Sequence, residues 1–312
     1  MEMEDETCVQ SFKIICFVWK MEEIKKIERL LVELDERVET AADRTYFQRE
    51  TLRVADFIWK SILFAALLAI GTGTAFGLFK HDRKLLYPGW FPYDIHSSNL
   101  RFWLSFAYQA AGHSLAILQN LTNDSYPPMT FCLVAGHVRL LSMRLSRMGY
   151  ERKSTRGRMV RELVENIEDH RKLMKIVEHL RSTMHLPQLG QFISSGINIS
   201  ITLVNILFFA ENNFAMTYYG VYFVAMLVEL FPSCYYGTLV SMELDRLTDS
   251  IFSSNWVGME RGYCRTLLIF MQLTLAKVEI RAGGMIGISL NAFFATIRMA
   301  YSFFTVAISL RK

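Results

Sequence analysis

The chain has 312 residues, of which 52% are apolar, 13% aromatic and 21% charged, with a formal net charge of +4. Soluble proteins average about 45–50% apolar and about 25% charged, so bulk composition leans only slightly towards a membrane protein and the placement of charge must decide. Five scattered cysteines without a C-x-x-C pair argue against a disulfide framework or metal site and for buried thiols, and the acidic start MEMEDETC argues against a secretory signal.

In chain order, residues 1–57 form an N-terminal segment. It opens on FKIICFVW (12–19), eight residues interrupted by Lys13 and too short to span, which resembles the last turns of a preceding span. KMEEIKKIERLLVELDERVET (20–40) follows, with Ile24, Ile27, Leu30, Leu31 and Leu34 at helical spacing and charges on the other face, so a docking amphipathic helix is expected. Residues 58–123 hold two spans, since 61–79 and 102–123 carry no formal charge; LLYPGWFPYD lies between them, with Pro88 and Pro92 preventing helix. Residues 124–187 read as a helical anchor region in which periodicity resumes after Pro127 and Pro128 and a second helix covers 158–184. Residues 188–242 hold two more spans, with Glu229 the single formal charge from 212 to 242. Residues 243–283 form another charged helical segment, and 284–312 a last span entered through Gly283 and Gly284. The fold class expected is an all-α integral membrane protein of five transmembrane helices with a helical cytoplasmic anchor.

Lys and Arg number ten in residues 1–60, twelve in 124–187 and five in 243–281, against four in 80–101 and none in 211–217. This bias puts the N-terminus in the cytoplasm and, after five spans, the C-terminus outside. Asn120 and Asn123 stand in N-x-[ST] patterns on the cytoplasmic side, where glycosylation is not expected. No H-E-x-x-H, G-x-S-x-G or P-loop occurs, and GTGTAFG (71–77) has the wrong spacing for a dinucleotide site, so its small residues serve helix packing. His170, His179 and His185 read as surface or packing histidines. Neither an enzyme nor a nucleic-acid partner is expected, and no cofactor.

Several pieces together resemble one family. LYPGWFPYD followed by FAYQ, then ELFPSCYYG (229–237) with Ser241 and Trp256, resemble insect odorant receptors. The C-terminal run is the most specific piece: Ala282-Gly283-Gly284, Ser289-Leu290-Asn291-Ala292-Phe293, Arg298 and Tyr301-Ser302, in the family's order. The resemblance covers roughly residues 12–312. That family has seven spans; the five here align with its third to seventh, so the first span and most of the second are expected to precede Phe12.

The resemblance implies a tuned subunit of a heteromeric odorant-gated cation channel, assembled as a heterotetramer with a shared co-receptor in the plasma membrane of olfactory sensory neuron dendrites. It implies a small volatile ligand in the outer half of the helix bundle, where Thr72, Phe76, Phe106, Gln109, Tyr218, Tyr219 and Tyr222 are the candidates. An aromatic pocket with few polar groups suits such a ligand. It also implies that the last helix lines the pore, with Val306 and Leu310, four apart and on one face, as a hydrophobic gate. Arg298 lies about 12 Å from the inner end of that helix by rise per residue, where a snorkelled or water-facing guanidinium in a vestibule or structural role is the low-cost arrangement. Three alternatives stay open: a gustatory receptor of related architecture, a truncated non-conducting fragment, and, from another class, a transporter.

Overall fold

In a computed structural model, residues 2–38, 40–78, 85–86, 89–150, 155–208 and 213–310 are described, the side chains of 2–9, 76–78, 96, 214, 307 and 310 excepted. Described residues form α1 (Glu2–Trp19), α2 (Met21–Glu36), α3 (Ala41–Tyr46), a π-helical turn (Phe47–Leu52), α4 (Arg53–Leu78), α5 (Asn99–Arg147), α6 (Arg156–Phe208), α7 (Asn213–Asp245), α8 (Leu247–Phe252), α9 (Arg261–Thr274) and α10 (Leu290–Leu310). Helix dominates, as the charge-free stretches require. The departure from all-α is a two-residue hairpin, β1 (Arg281–Ala282) and β2 (Ile286–Gly287), paired antiparallel before α10. Its turn needs two glycines: Gly283 and Gly284 have φ of 60° and 72°, while the Met285 N–H donates to the Ala282 carbonyl at 3.1 Å.

Two helices are longer than their hydropathy suggests. The span near 102–123 and the helix after Pro127-Pro128 are one 49-residue helix, α5. Likewise 158–184 and the next span are one 53-residue helix, α6, with Pro187 inside it. Both prolines of α5 and Pro187 are buried, so tertiary packing outweighs the local cost of a missing N–H.

The lower halves of α5 and α6 build a core with α2 and α9, in which Ile27, Phe131, Leu145, Leu173, Leu180 and Phe270 are at most 1% exposed. Each such side chain contributes about 1.5–3 kcal/mol relative to exposure. Leu30 and Leu31 of α2 pack against that core, and its rim is tied down by Lys172 to Glu33 at 2.7 Å and His137 to Asp35 at 3.1 Å. His179 pairs with Glu23, His170 packs edge-on against Phe270, and His185 bonds the Ser182 carbonyl, so the three histidines face different partners.

Beneath that rim, Arg144 donates to Asp43 at 3.1 Å, Asp169 at 3.2 Å and the Arg37 carbonyl at 2.7 Å, tying α5 to α3, α6 and the end of α2. Burial pushes the Asp169 carboxyl up, against the opposing pull of Arg37 and Arg144.

Among described residues, three segments are long and apolar enough to cross a membrane: Ala41–Ala75, Arg156–Phe208 and Ala215–Phe252. The upper parts of the helices turn large apolar side chains outward, among them Phe57, Phe64, Trp103, Leu104 and Leu115. Inside lie Lys13, Ser105, Asp124, Gln191 and Ser195. Apolar surface outside and polar groups inside is the arrangement a lipid solvent selects.

Candidate functional site

The upper parts of α4, α5, α6 and α7 enclose a cavity of about 120 Å³. An apolar cavity of about 150 Å³ holds benzene, so this one admits a molecule of similar size. The space exists because one wall is small. Ala65, Ala66 and Ala69 follow helical spacing on α4 and Ala225 faces the same cavity from α7. At the end nearest the α6–α7 connection stand Thr72, His113, Tyr218 and Tyr222. Gly73 admits His113 there, since a Cβ on Gly73 would lie 3.3 Å from the His113 Nε2.

The opposite end is a polar floor. Lys13 of α1 is 2% exposed and donates from Nζ to Asp124 Oδ1 at 2.7 Å and to Gln191 Oε1. Gln191 Nε2 in turn donates to Glu229 and to Ser195 Oγ, the latter at 3.3 Å. One lysine, one amide and two carboxylates thus join α1, α5, α6 and α7 beneath the cavity. Gln10 lines the same end, and its buried Oε1 accepts no hydrogen bond from the described residues.

Of the ligand candidates read from the sequence, Thr72, Tyr218 and Tyr222 line this cavity. Tyr219 lies outside the wall, packed edge-on against Tyr218 with ring centroids 5.3 Å apart. Phe106 and Gln109 share the heptad stripe of His113 on α5 but stand one to two turns, about 6–10 Å, beyond the cavity's end. Phe106 is buried among Phe102 and Trp103, and Gln109 lies beside Gly89. The Phe76 side chain lies outside the described residues. Sequence reasoning missed the floor as a unit. Its signal was present only as isolated charges in apolar stretches, Lys13 in FKIICFVW and Glu229 in α7. That they meet Asp124 and Gln191 required the fold.

Helix α10 has two contrasting faces. Ala292, Phe293, Thr296 and Ala300 are buried against α6 and α7. The mount is close: Phe293 meets Phe231 edge-on at 5.4 Å, the Leu290 N–H donates to Thr238 Oγ1 at 2.9 Å, and Ser200 Oγ donates to the Ala300 carbonyl at 3.3 Å. A Cβ on Gly196 would meet Met299, and one on Gly237 the Ile288 carbonyl. The other face is open. Arg298, Ser302, Thr305 and Ser309 lie along one stripe of it, and Val306, beside them, is 51% exposed. The Leu310 side chain lies outside the described residues.

Known proteins resemble this arrangement over nearly the whole chain. The family model described as 7tm Odorant receptor matches residues 6–301. Odorant receptor 33b of Drosophila melanogaster is 65% identical over 301 residues, covering 96% of this chain and 79% of the relative. Odorant receptor 33a of the same organism is 62% identical, covering 96% and 80%. Among solved structures, the insect olfactory receptor OR5 from Machilis hrabei superposes with a TM-score of 0.85 at 13% identity, covering 99% of this chain and 80% of that one. The same receptor in complex with eugenol superposes at 0.84 and 14% identity, covering 98% and 79%.

Proposed function

This chain belongs to the 7tm odorant receptor family, and from that premise we propose that it is the odour-tuned subunit of a cation channel completed by a shared co-receptor. The carrying observation is one fold with two contrasting elements: a cavity among α4–α7, and a helix, α10, whose polar stripe faces away from its own subunit. A stripe of Arg, Ser and Thr turned to lipid would be costly, whereas the same stripe turned to a central aqueous path shared among subunits is not.

In this architecture the membrane spans are five: the apolar upper parts of α4–α7, and α10. The excess of Lys and Arg on the α2, lower α5–α6 and α9 side supports a cytoplasmic position for that bundle and the N-terminus, with the C-terminal end outside, in the plasma membrane. The cytoplasmic bundle then serves as the anchor between subunits. Val306, with Leu310 one turn on, forms the apolar ring that closes the path by dewetting, and Arg298 stands in the inner vestibule with its guanidinium in water. The ligand is a small volatile molecule; the Machilis receptor solved with eugenol supports that ligand class. Its wall is Thr72, Tyr218 and Tyr222. Ligand contact on α6 and α7 is coupled to α10 through Phe231–Phe293 and Thr238–Leu290.

The testing experiment is whole-cell current in cells expressing the co-receptor with this chain, surface-labelled, under an odour panel. A current absent with co-receptor alone is expected; surface label without any odour response overturns the reading. Two variants locate the parts. Tyr222→Ala should shift the dose-response of active odours by about tenfold or more, as loss of a buried aromatic contact allows, with ion selectivity unchanged; an unaltered response to every active odour removes Tyr222 from the site. Val306→Ala widens the apolar ring and should raise basal current; an unchanged basal current in a complex that conducts rules out the gate at this position.

A further inference from the structure

The polar floor of the cavity is unbalanced in two ways. It holds two carboxylates, Asp124 and Glu229, which Lys13 and Gln191 link through hydrogen bonds, and one cation among the described residues, Lys13, already committed to Asp124 and Gln191. Two carboxylates that share one lysine leave a negative charge that a proton or a second cation must meet. The floor is also richer in acceptors than in donors. Lys13 and the Gln191 amide face Asp124, Glu229 and the unpartnered Gln10 Oε1. One wall above is alanine, Asn120, Ser194 and Asn198 line other sides, and no charged group stands among the described lining residues between the floor and Thr72 and His113.

We propose that the cavity selects small aliphatic primary amines, with the ammonium group seated on Glu229 and Asp124 and the chain lying along the alanine wall. This rests on the odorant-gated reading above and names the ligand class of that site. The ammonium supplies the missing cation and three donors, which match Glu229, Asp124 and Gln10. The chain displaces no polar group, because Ala65, Ala66, Ala69 and Ala225 offer none. Size favours short chains: about 120 Å³ takes roughly six non-hydrogen atoms. An alcohol of the same length supplies one donor and no charge, and a ketone none, so the expected order is amine, then alcohol, then ketone.

The test uses three probes of equal size: pentylamine, 1-pentanol and 2-pentanone. Each is applied to cells expressing the co-receptor with wild-type chain or with Glu229→Gln, which keeps the shape and still accepts from Gln191 but removes the charge. Pentylamine should act at the lowest concentration on the wild type. In Glu229→Gln its half-maximal concentration should rise about tenfold or more, the scale of one charge-assisted hydrogen bond, while that of 2-pentanone stays within about twofold. The retained ketone response shows that the variant folds and gates. Should Glu229→Gln be silent to all three, Asp124→Asn replaces it with the same criteria. A ketone as potent as the amine on wild type, or an amine-to-ketone ratio unchanged by the substitution, overturns the inference and leaves the odorant-gated reading intact. A surface-labelled complex silent to these probes and to a broad odour panel overturns both.

Discussion

Arg144→Met should destabilise the receptor by about 3 kcal/mol, the lower end of the cost of breaking a buried ion pair, because Asp169 keeps Arg37 at 3.0 Å and Asp43 keeps Arg147 at 3.5 Å. The arginine side chain is 18% exposed and its partners Asp43 and Asp169 only 3% each, so solvent screens little of the interaction. The expected readouts are a large loss of surface label and a fall of the melting midpoint in detergent on the order of 10 °C. Arg144→Lys should recover part of the loss, because one ammonium replaces the charge but not the fork that reaches Asp43, Asp169 and the Arg37 carbonyl together. Lys25→Met is the contrasting control. Its pairing with Glu22 is exposed on both sides, where solvent screening leaves an ion pair little effect on stability.

The pH dependence has a definite sign. The Asp169 carboxyl is already pushed up by burial, with Arg37 and Arg144 opposing. Removing Arg144 removes part of that opposition and raises it further. An acid whose folded-state pKa lies above its unfolded value loses stability as pH rises through that window, and regains it on acidification. The melting difference between wild type and Arg144→Met should therefore narrow as pH falls from neutral towards the carboxylate range. A constant difference would mean that the lost contact is packing alone.

Gly237→Ala should abolish or nearly abolish evoked current. The added methyl has no free space, because it would press into the Ile288 carbonyl, a backbone atom held by the Ile288 N–H to Ile280 carbonyl bond at 2.8 Å. A flexible side chain could turn away; this strand cannot without moving the start of α10, which Thr238 holds at Leu290. Overpacking of this kind costs about 1–3 kcal/mol. Here it falls on the mount of the proposed pore helix, so the functional effect should exceed the effect on surface level. Gly71→Ala and Gly220→Ala meet nothing within 4 Å and sit in helices, so they should be neutral or slightly stabilising. Wild-type current in Gly237→Ala would show that α10 does not depend on this contact.

Much of the site was legible one helix at a time. Thr72, Tyr218 and Tyr222 could be named because a helix of known direction places them near its loop-side end, and side-chain spacing then gives a common face. Phe106 and Gln109 satisfied the same rule on α5 and still missed the cavity. Periodicity fixes the face but not how far along the axis the neighbouring helices leave a gap, and here residues 89–93 fill that level. The prolines misled for a related reason. Pro127-Pro128 carry the local cost that interrupts a helix, but buried neighbours carry α5 through the pair, as they carry α6 through Pro187.

The sequence by itself determined that this is a helical membrane protein of the odorant receptor family, because charge-free stretches, the one-sided lysines and arginines and the ordered C-terminal motif are all local or cumulative along the chain. It also marked Lys13, Glu229 and Arg298 as charges that an apolar segment must accommodate. Only the tertiary structure decided how. Lys13 and Gln191 are 178 positions apart in the chain, and their meeting with Asp124 and Glu229 depends on four helices packing at one level. Arg298 has no such neighbours among the described residues because α10 turns its opposite face to α6 and α7. A buried charge must find partners from other elements, and an outward one must find water; which of the two applies is set by packing between helices, and no single helix carries that information.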